Sequence, residues 1–365
     1  MSPEIIKLID RLAGSILASL LGKNKQFHVG SVRSILIIRP GGIGDAVLLA
    51  SSINTLIKKY PDLSITILAE QRNSGVLSLI PGTVNVFRYD RPYEFIKALR
   101  GKYDVVIDTE QSHHLSAVVA RLIRAPIKIG FDTNERRRMF THSIQYDLDA
   151  YEPDNFSALL KPLGVDCQKV VETVTLLVPL QSVSKAHQLL QPFNSESFIA
   201  IFPGASIKEK RWGADRFRLV VEALSESGIK TVVVGGKEDR KQGEMISGGG
   251  FALNLAGMTS LPETAAVIQK SALLLSGDSG VLHIAAGLGV PTVSLFGPGR
   301  AKKWAPRGER HIAINKELPC SPCTTFGNTP PCSNNVRCMR DIAVDEVVNA
   351  VTMLLTSMGT MPSQC

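Results

Sequence analysis

The sequence predicts an α/β fold made of two doubly wound parallel sheets. The chain has 365 residues, 44% of them hydrophobic, which is more than one hydrophobic core usually holds, so two domains are expected. Short β-branched runs alternate with stretches of helical periodicity, which is the pattern of parallel strands joined by helical crossovers. Glycine-rich turns follow several of these runs, as expected where parallel strands end and helices begin.

Five runs in each half are predicted as strands. They are SILIIR, SITILA, VNVFRY, YDVVID and IKIG in the first half, and FIAIF, KTVVVGG, ALLLSGD, PTVSLFG and RHIAIN in the second. A joint is predicted near residues 180–197, where prolines and the polar run NSES interrupt the pattern. Ligands of such sheets bind at the carboxyl ends of the strands, so we expect the active site in a cleft between the two sheets.

The N-terminus predicts an amphipathic helix. Apolar residues recur at helical spacing from Ile5 to Leu20, while charged residues such as Lys7 and Asp10 interrupt any run long enough to span a bilayer. Three roles stay open for this helix: docking on its own protein, contact with a membrane surface, and a secretory signal peptide. The acidic residues Glu4 and Asp10 precede the apolar stretch LAGSILASLLG, which disfavours the signal peptide.

The charge balance favours anionic partners. The chain carries 41 basic and 33 acidic residues, a net charge of +8 and a pI near 9.2. Phosphates, nucleic acid and acidic membrane surfaces are all candidates. Aromatic residues make up only 6% of the chain, and no Arg/Lys tract is interleaved with them, so nucleic acid is not expected as a partner.

The first glycine-rich turn, PGGIGD, lies between the strand SILIIR and the helix AVLLASSINTLIKKY. Gly42 and Gly44 allow the backbone to approach a ligand, and the helix N-terminus offers unpaired amides. The turn is neither a GxGxxG nor a Walker loop, and Asp45 would repel a phosphate held there. Two roles stay open for Asp45: capping of the helix, and a part in the chemistry.

A second loop, PGASIKEKRWGADRF, follows the strand FIAIF. The hydroxyl of Ser206 and the charge of Lys210 are suited to holding a diphosphate. The alternative is a solvated basic loop, which is what most charge runs are.

A third loop lies in ALLLSGDSGVLHIAAGLGVPTVSLFGP. It places Asp278, Ser279 and Gly280 between a buried strand and a helix, where Ser279 and the helix amides are suited to an anion. We expect Asp278 to cap or orient the turn without touching phosphate. His283 follows one turn into the helix, and both a ligand role and a place in the core stay open for it.

These three motifs, in this order and spacing, resemble glycosyltransferase family nine, the ADP-heptose:lipopolysaccharide heptosyltransferases. The resemblance covers the chain from about residue 31 onward. It implies the GT-B fold, in which two Rossmann-like domains face a cleft, and an inverting transfer that requires no metal. It also implies a Gram-negative source and a cytoplasmic protein attached peripherally to the inner membrane.

The resemblance assigns the chemistry and the acceptor to the first half. It implies that Asp45 acts as the base that deprotonates a hydroxyl of the acceptor, the inner core of lipopolysaccharide at a Kdo or heptose residue. Transfer from a nucleoside diphosphate needs such a base opposite the positive groups that receive the diphosphate. The expected acceptor-binding residues are Gly42, Gly44, Arg136, Arg137 and Arg138, of which the arginines are also explained by a solvated face.

The resemblance assigns the ADP-sugar donor to the second half. Ser279 stands where the family commonly has threonine, which keeps the hydroxyl. Glu238, in VVVGGKEDR, is assigned to the ribose, with the adjacent Asp239 as an alternative. The expected donor-binding residues are Ser206, Lys210, Glu238, Asp278, Ser279, Gly280 and His283. The segments are an N-terminal helix (1–30), an acceptor domain (31–180), a donor domain (181–345) and a C-terminal helix and tail (346–365).

Four of the six cysteines lie close together in the segment 320–338, CSPCTTFGNTPPCSNNVRC. Their spacing leaves three states open: a structural zinc site, free thiols, and disulfides. The residues concerned are Cys320, Cys323, Cys332 and Cys338.

Other classes of protein are weighed against the transferase. A dehydrogenase predicts GxGxxG with an acid about 20 residues later, and neither half supplies that pair. A family member with another sugar nucleotide or acceptor stays open, because no motif reads the sugar ring. A noncatalytic sugar-nucleotide-binding protein would tolerate loss of Asp45, so the presence of Asp45 together with Lys210 favours an enzyme.

Overall fold

A computed structural model describes residues 32–82, 84–165, 175–193 and 196–359, together with Asp10, Gly14 and Ile16. The chain divides into two compact units, Met1–Val171 and Glu172–Cys365. Apart from those three residues, the predicted N-terminal helix over 1–30 lies outside the described residues. Asp10 lies against the start of a later helix, where its Oδ1 accepts a hydrogen bond from the amide of Leu115 at 2.6 Å.

The described strands of the first unit form one parallel sheet in the order β3-β2-β1-β4-β5-β6. The central strands β1 and β4 are buried except for Ser34 at the start of β1, and Ile37 of β1 is in register with Ile67 of β2 and Ile107 of β4. The strands are β1 (Ser34–Ile38), β2 (Ser64–Ala69), β3 (Val84–Arg88), β4 (Val105–Asp108), β5 (Ile127–Phe131) and β6 (His142–Ile144).

Amphipathic helices connect these strands, as parallel pairing requires. Their apolar sides pack on the sheet, and one cluster joins Leu36 and Val106 to Ala98 and Ala117. The helices are α1 (Ile43–Leu48), α2 (Ala50–Lys59), α3 (Gln71–Leu77), α4 (Pro92–Arg100), α5 (His114–Leu122) and α6 (Glu152–Ala158), with 3₁₀ turns at Glu135–Met139 and Lys161–Leu163.

The second unit repeats this topology in the order β12-β11-β10-β7-β8-β9. Renumbered within the unit, both orders are 3-2-1-4-5-6, the Rossmann arrangement. The strands are β7 (Phe198–Phe202), β8 (Lys230–Val233), β9 (Leu253–Asn254), β10 (Leu273–Gly277), β11 (Thr292–Phe296) and β12 (His311–Asn315).

The helices of the second unit cover both faces of its sheet. The last one packs by Val351 and Leu354 on the same cluster as Trp212, whose indole N–H donates to the carbonyl of Ile342. The helices are α7 (Leu180–Leu189), α8 (Ala214–Glu226), α9 (Arg240–Ile246), α10 (Leu261–Gln269), α11 (Gly280–Gly287), α12 (Ala301–Trp304), α13 (Arg337–Arg340) and α14 (Val344–Ser357), with 3₁₀ turns at Gln191–Phe193, Lys208–Lys210, Lys237–Asp239 and Gly248–Gly250.

The two predicted doubly wound parallel sheets are confirmed. Two short strands, β6 and β9, are additional to the ten predicted. The predicted joint near 180–197 lies inside the second unit, where α7 packs on α10. Among the described residues, every helix is too short or too polar to span a bilayer.

A buried ion pair joins β4 to the 3₁₀ turn at Glu135–Met139. The guanidinium of Arg136 lies 2.6 Å from Asp108 Oδ2, and both side chains are fully buried. Arg136 also donates to the carbonyl of Glu110. This corrects the prediction that Arg136 binds an acceptor, because its guanidinium is enclosed by the protein. Arg137 and Arg138 are exposed and stay candidates.

Replacement of Arg136 by methionine should destabilise the protein by about 3–5 kcal/mol at neutral pH, since the charge of Asp108 would be left buried and unpaired. Burial already raises the pKa of Asp108. The loss should therefore shrink as the pH is lowered, because Asp108 then binds a proton and loses its charge. Urea unfolding measures the effect.

Arg137→Met is the matched control, because Arg137 is exposed in the same turn. Its effect should stay within about 0.5 kcal/mol. Equal stabilities for the two variants would contradict the structural role of Arg136.

Candidate active site

In the first unit, β1 and β4 are neighbours, and their connections leave in opposite directions along the sheet. This switch point opens a crevice at the carboxyl ends of the two strands, where ligands of such sheets bind. The turn PGGIGD follows β1, and residues 109–113 follow β4. The fold therefore brings the first glycine-rich turn beside a polar loop that lies about 70 residues further along the chain.

Glycines fix the shape of the first turn. Gly41 has φ +101°, a backbone angle that residues other than glycine rarely adopt. Its amide donates to Glu70 Oε1 at 2.8 Å. Gly42 is the N-cap of α1, and a Cβ at that position would lie 3.2 Å from Asp45 Oδ2. Gly44 precedes Asp45 in the first helical turn. Gly42 therefore leaves space for the carboxylate of Asp45.

Asp45 lies in the first turn of α1, one of the positions where the helix macrodipole favours an acid. Gln111 Nε2 donates to its Oδ1 at 3.3 Å, and Arg39 Nη1 lies 3.9 Å from the same oxygen. The side chain of Asp45 is 24% exposed. The carboxylate thus accepts one hydrogen bond from Gln111, lies near the charge of Arg39 on the same side, and is accessible to solvent.

Arg39 joins the loops after β1 and β4. Its side chain is buried, and it donates to the carbonyls of Pro40 at 2.6 Å and Thr109 at 3.0 Å. Its Nη2 lies 3.5 Å from Glu110 Oε2. Burial alone would raise the pKa of Glu110, but the hydrogen bond with His113 and the charge of Arg39 hold that pKa well below its usual range. Glu110 therefore stays ionised and keeps Arg39 in place.

A second buried acid lies on the far side of Gln111. Gln111 Nε2 donates to Glu152 Oε1 at 2.8 Å, and the hydroxyl of Tyr146 donates to Glu152 Oε2 at 2.8 Å. Burial and the charge of Glu152 raise the pKa of Tyr146 above its usual range, so Tyr146 remains a donor. Sequence analysis missed Arg39, Glu152 and Tyr146. Arg39 directly precedes the turn PGGIGD, which was the one signal available in the sequence, whereas Glu152 and Tyr146 are connected to Asp45 through Gln111 by the fold.

In the second unit, β7 and β10 form the equivalent switch point. Lys210, at the end of the loop after β7, places its Nζ 2.6 Å from Asp278 Oδ2, directly after β10. A Cβ on Gly277 would lie 3.3 Å from the carbonyl oxygen of Lys210, so the two loops pack closely. The structure thus brings the predicted lysine and the predicted donor loop together, with Asp278 orienting Lys210.

Ser279 caps the helix that follows Asp278. Its Oγ accepts from the amide of Leu282 at 3.4 Å and lies 2.9 Å from Ser276 Oγ. Gly280 is the first residue of α11, so the amide-rich end of this helix lies beside Lys210 and Asp278. His283 is buried one turn further along. This end of α11 combines unpaired amides and an adjacent cation, which suits an anion.

The two remaining donor candidates are exposed at the same sheet edge. Ser206 is exposed in the loop after β7, and Glu238 is exposed in the turn after β8. The adjacent Asp239 is buried, and its Oδ2 accepts from the amide of Gly236 at 2.9 Å. A Cβ on Gly204 would lie 2.3 Å from Asp239 Oδ1. Asp239 therefore stabilises the turn, and Glu238 is the acid that a ligand can reach.

The family model for glycosyltransferase family 9 (heptosyltransferase) matches residues 93–333. The chain is 30% identical to lipopolysaccharide heptosyltransferase 3 of Escherichia coli over 72% of this chain and 83% of that protein.

Two solved structures resemble the fold. The family 9 glycosyltransferase of Veillonella parvula DSM 2008 matches with a TM-score of 0.76 at 22% identity, over 92% of this chain and 100% of the other. The E. coli heptosyltransferase WaaC with ADP-2-deoxy-2-fluoro heptose matches with a TM-score of 0.68 at 17% identity, over 88% and 99%. The predicted GT-B fold, with two Rossmann-like sheets, is confirmed.

The cysteine-rich segment packs against the loop after β11. The amides of Cys323 and Thr324 both donate to the carbonyl of Pro298, at 3.0 and 2.9 Å. The four cysteines of this segment are free thiols. Within the described ranges, no group of three or more His, Cys, Asp or Glu side chains is arranged to hold a metal ion. The zinc alternative therefore has no preformed site among these cysteines.

The four thiols should differ in reactivity. Cys320 and Cys332 are exposed, whereas Cys338 is buried, and burial raises the pKa of both Cys323 and Cys338. Because the thiolate is the reactive form, a disulfide reagent should modify Cys320 and Cys332 first and Cys338 only slowly. In the double variant Cys320→Ser/Cys332→Ser, two fewer thiols per chain should react in the fast phase of the modification, as measured by the release of the reagent's leaving group.

The matched control is Cys338→Ser, which should leave the fast phase unchanged. Protection of all four thiols until a chelator is added would contradict free thiols and would indicate a bound metal.

Proposed function

Since the chain belongs to glycosyltransferase family 9, we propose that it transfers a heptose from ADP-heptose to the inner core of lipopolysaccharide. The chain is thus a glycosyltransferase. What we propose is the identity of the sugar that it transfers and of the acceptor that receives it. Support comes from relatives whose names state heptosyltransferase activity toward lipopolysaccharide, and from a similar fold solved with an ADP-heptose analogue.

The observation that carries the proposal is the different chemistry of the two switch points. In the first unit, a partly exposed carboxylate, Asp45, is held by Gln111 and Arg39. In the second unit, Lys210 adjoins the N-terminus of α11. A carboxylate is suited to removing a proton, and a lysine beside helix amides is suited to a diphosphate. Sugar transfer needs both functions.

In the proposed reaction, Asp45 takes the proton of an acceptor hydroxyl. The acceptor oxygen forms a bond to the anomeric carbon of the heptose while the bond from that carbon to the diphosphate oxygen breaks. ADP leaves with the electron pair, and attack opposite the leaving group inverts the anomeric centre. Gln111 and Arg39 contact Oδ1 of Asp45, so we assign proton transfer to Oδ2.

The donor is assigned to the second unit. Lys210, Ser206 and the amides at Ser279 and Gly280 would receive the diphosphate, whose negative charge grows as the bond to the sugar breaks. Glu238 is exposed after β8 and would accept hydrogen bonds from the ribose. Asp278 and the buried His283 are proposed as supports of this loop.

The acceptor is assigned to the first unit, beside Gly42 and Gly44. Arg137 and Arg138 are exposed and would pair with the anionic groups of the core. Attachment to the cytoplasmic face of the inner membrane is part of the proposal, because the acceptor is a membrane lipid. A donor other than ADP-heptose is the second candidate, since no described residue has been assigned to the sugar ring.

Replacement of Asp45 by asparagine should lower the turnover number by about 10²- to 10⁴-fold, the usual contribution of a general base. Affinity for ADP should be nearly unchanged, because Asp45 belongs to the acceptor side of the proposal. Product formation from ADP-heptose and calorimetric binding of ADP measure the two effects. Asp62→Asn, an exposed site in the same unit, is the control, and turnover of Asp45→Asn within tenfold of the wild type would exclude the base role.

Replacement of Lys210 by methionine should weaken ADP binding by about 10- to 100-fold, which corresponds to the loss of one charge-assisted hydrogen bond. The unpaired Asp278 would also repel the diphosphate, so Lys210→Met/Asp278→Asn should recover part of the affinity. Lys208→Met, an exposed site in the same turn, is the control.

The same calorimetric measurement tests which nucleoside diphosphate the chain binds most tightly. The wild-type chain should prefer ADP to UDP and GDP. A preference for UDP or GDP would replace the proposed donor, and unchanged ADP affinity in Lys210→Met would place the diphosphate elsewhere.

A further inference from the structure

Helix α4 exposes apolar side chains on its outer face. Tyr93 is 78% exposed and Ile96 is 46% exposed, while Phe95, Ala98 and Leu99 pack on the opposite side against the core of the first unit. Positions 93, 96, 97 and 100 follow helical spacing and share the outer face. A surface helix usually carries polar residues there, so this face differs from an ordinary solvated one.

The charged residues around these apolar side chains are almost all basic. The exposed cations of the segment 91–102 are Arg91, Lys97, Arg100 and Lys102. The one acid in that segment, Glu94, is paired with Arg88 at 2.5 Å. This part of the surface therefore combines positive charge with exposed apolar groups.

The end of α5 extends the same surface. Lys102 forms a parallel bridge with Arg124, so the segment that follows α4 lies beside the segment that follows α5. Arg124 is exposed, and Leu122 is 59% exposed. We define the α4 face by its apolar residues and its surrounding cations, which are Tyr93, Ile96 and Leu122 with Arg91, Lys97, Arg100, Lys102 and Arg124.

We propose that the α4 face docks on a lipid bilayer that carries anionic phospholipids. Tyrosine is favoured at the level of the lipid headgroups, where its ring is apolar and its hydroxyl is hydrated. Isoleucine and leucine gain by entering the acyl boundary, and the surrounding lysines and arginines are attracted by anionic headgroups. Tyrosine and arginine also occur at protein interfaces, so a protein partner is the alternative that the test must separate.

This inference deepens the proposed function, since it assigns the proposed membrane attachment to one surface, and it rests on that proposal for its biological role. Vesicle binding needs neither donor nor turnover, so its failure would leave the proposed reaction in place. Conversely, an inactive protein that still bound vesicles through α4 would support the docking surface alone. If both hold, the α4 face would bring the first unit to the membrane that contains its lipid-linked acceptor.

The test is cosedimentation of the full chain with vesicles of phosphatidylcholine alone and of phosphatidylcholine with phosphatidylglycerol. The wild type should bind only the anionic vesicles, and less at high salt. Tyr93→Ser/Ile96→Ser and Lys97→Glu/Arg100→Glu should each lower that affinity by at least about tenfold. Leu219→Ser/Met353→Ser, at exposed apolar sites of the second unit, should bind like the wild type.

Three results would overturn the proposal. The first is no binding of the wild type to anionic vesicles. The second is unchanged binding by either α4 variant, which would place membrane contact elsewhere, for example on residues 1–30. The third is self-association of the wild type that both α4 variants abolish, which would make this face a protein interface. Urea unfolding of each variant, which should match the wild type at these exposed positions, separates lost binding from lost folding.

Discussion

The parallel pairing of β1 with β4, and of β7 with β10, decides which residues can act together in each unit. Parallel strands end at the same edge of a sheet, so loops that are far apart in sequence become neighbours there. In the first unit this pairing places Asp45 beside Gln111, and in the second it places Lys210 beside Asp278. A change in the strand order would separate both pairs even if every residue were retained.

Buried guanidinium groups fix the loops that the pairing brings together. A buried arginine must have its donors and its charge satisfied, and Arg39 meets this requirement with carbonyls of both loops and with the ionised Glu110. One strand further along, the charge of the buried Arg136 is paired with Asp108, and its Nη1 donates to the carbonyl of Glu110. The loops after β1 and β4 are therefore constrained by the pairing of buried charges as well as by backbone conformation. This constraint gives Asp45 a defined environment although it lies next to three glycines.

Sequence patterns predicted the ten longer strands, the three loops and the two sheets, because β-branched runs and glycine turns report local structure. The strands β6 and β9 have three and two residues, too few for a period to show. The predicted helix AVLLASSINTLIKKY is divided at Leu49 into α1 and α2. The run of arginines at 136–138 gave no indication that Arg136 is buried while its neighbours are exposed. Contacts such as Gln111 with Glu152 depend on the fold, so no local pattern contains them.

The two units share one topology, but different side chains lie at their switch points. At the first switch point the helix after β1 is short, and an acid stands in its first turn. At the second, the helix after β10 begins with a serine cap and no acid in its first turn, and a lysine approaches from the neighbouring loop. An acid at the first helix disfavours phosphate there, whereas the second helix keeps its amides available for an anion. The strand order explains why each unit has a crevice at its switch point. The acid follows the first strand of its unit and the serine cap follows the fourth, so the two crevices differ because different loops carry the charged and polar side chains.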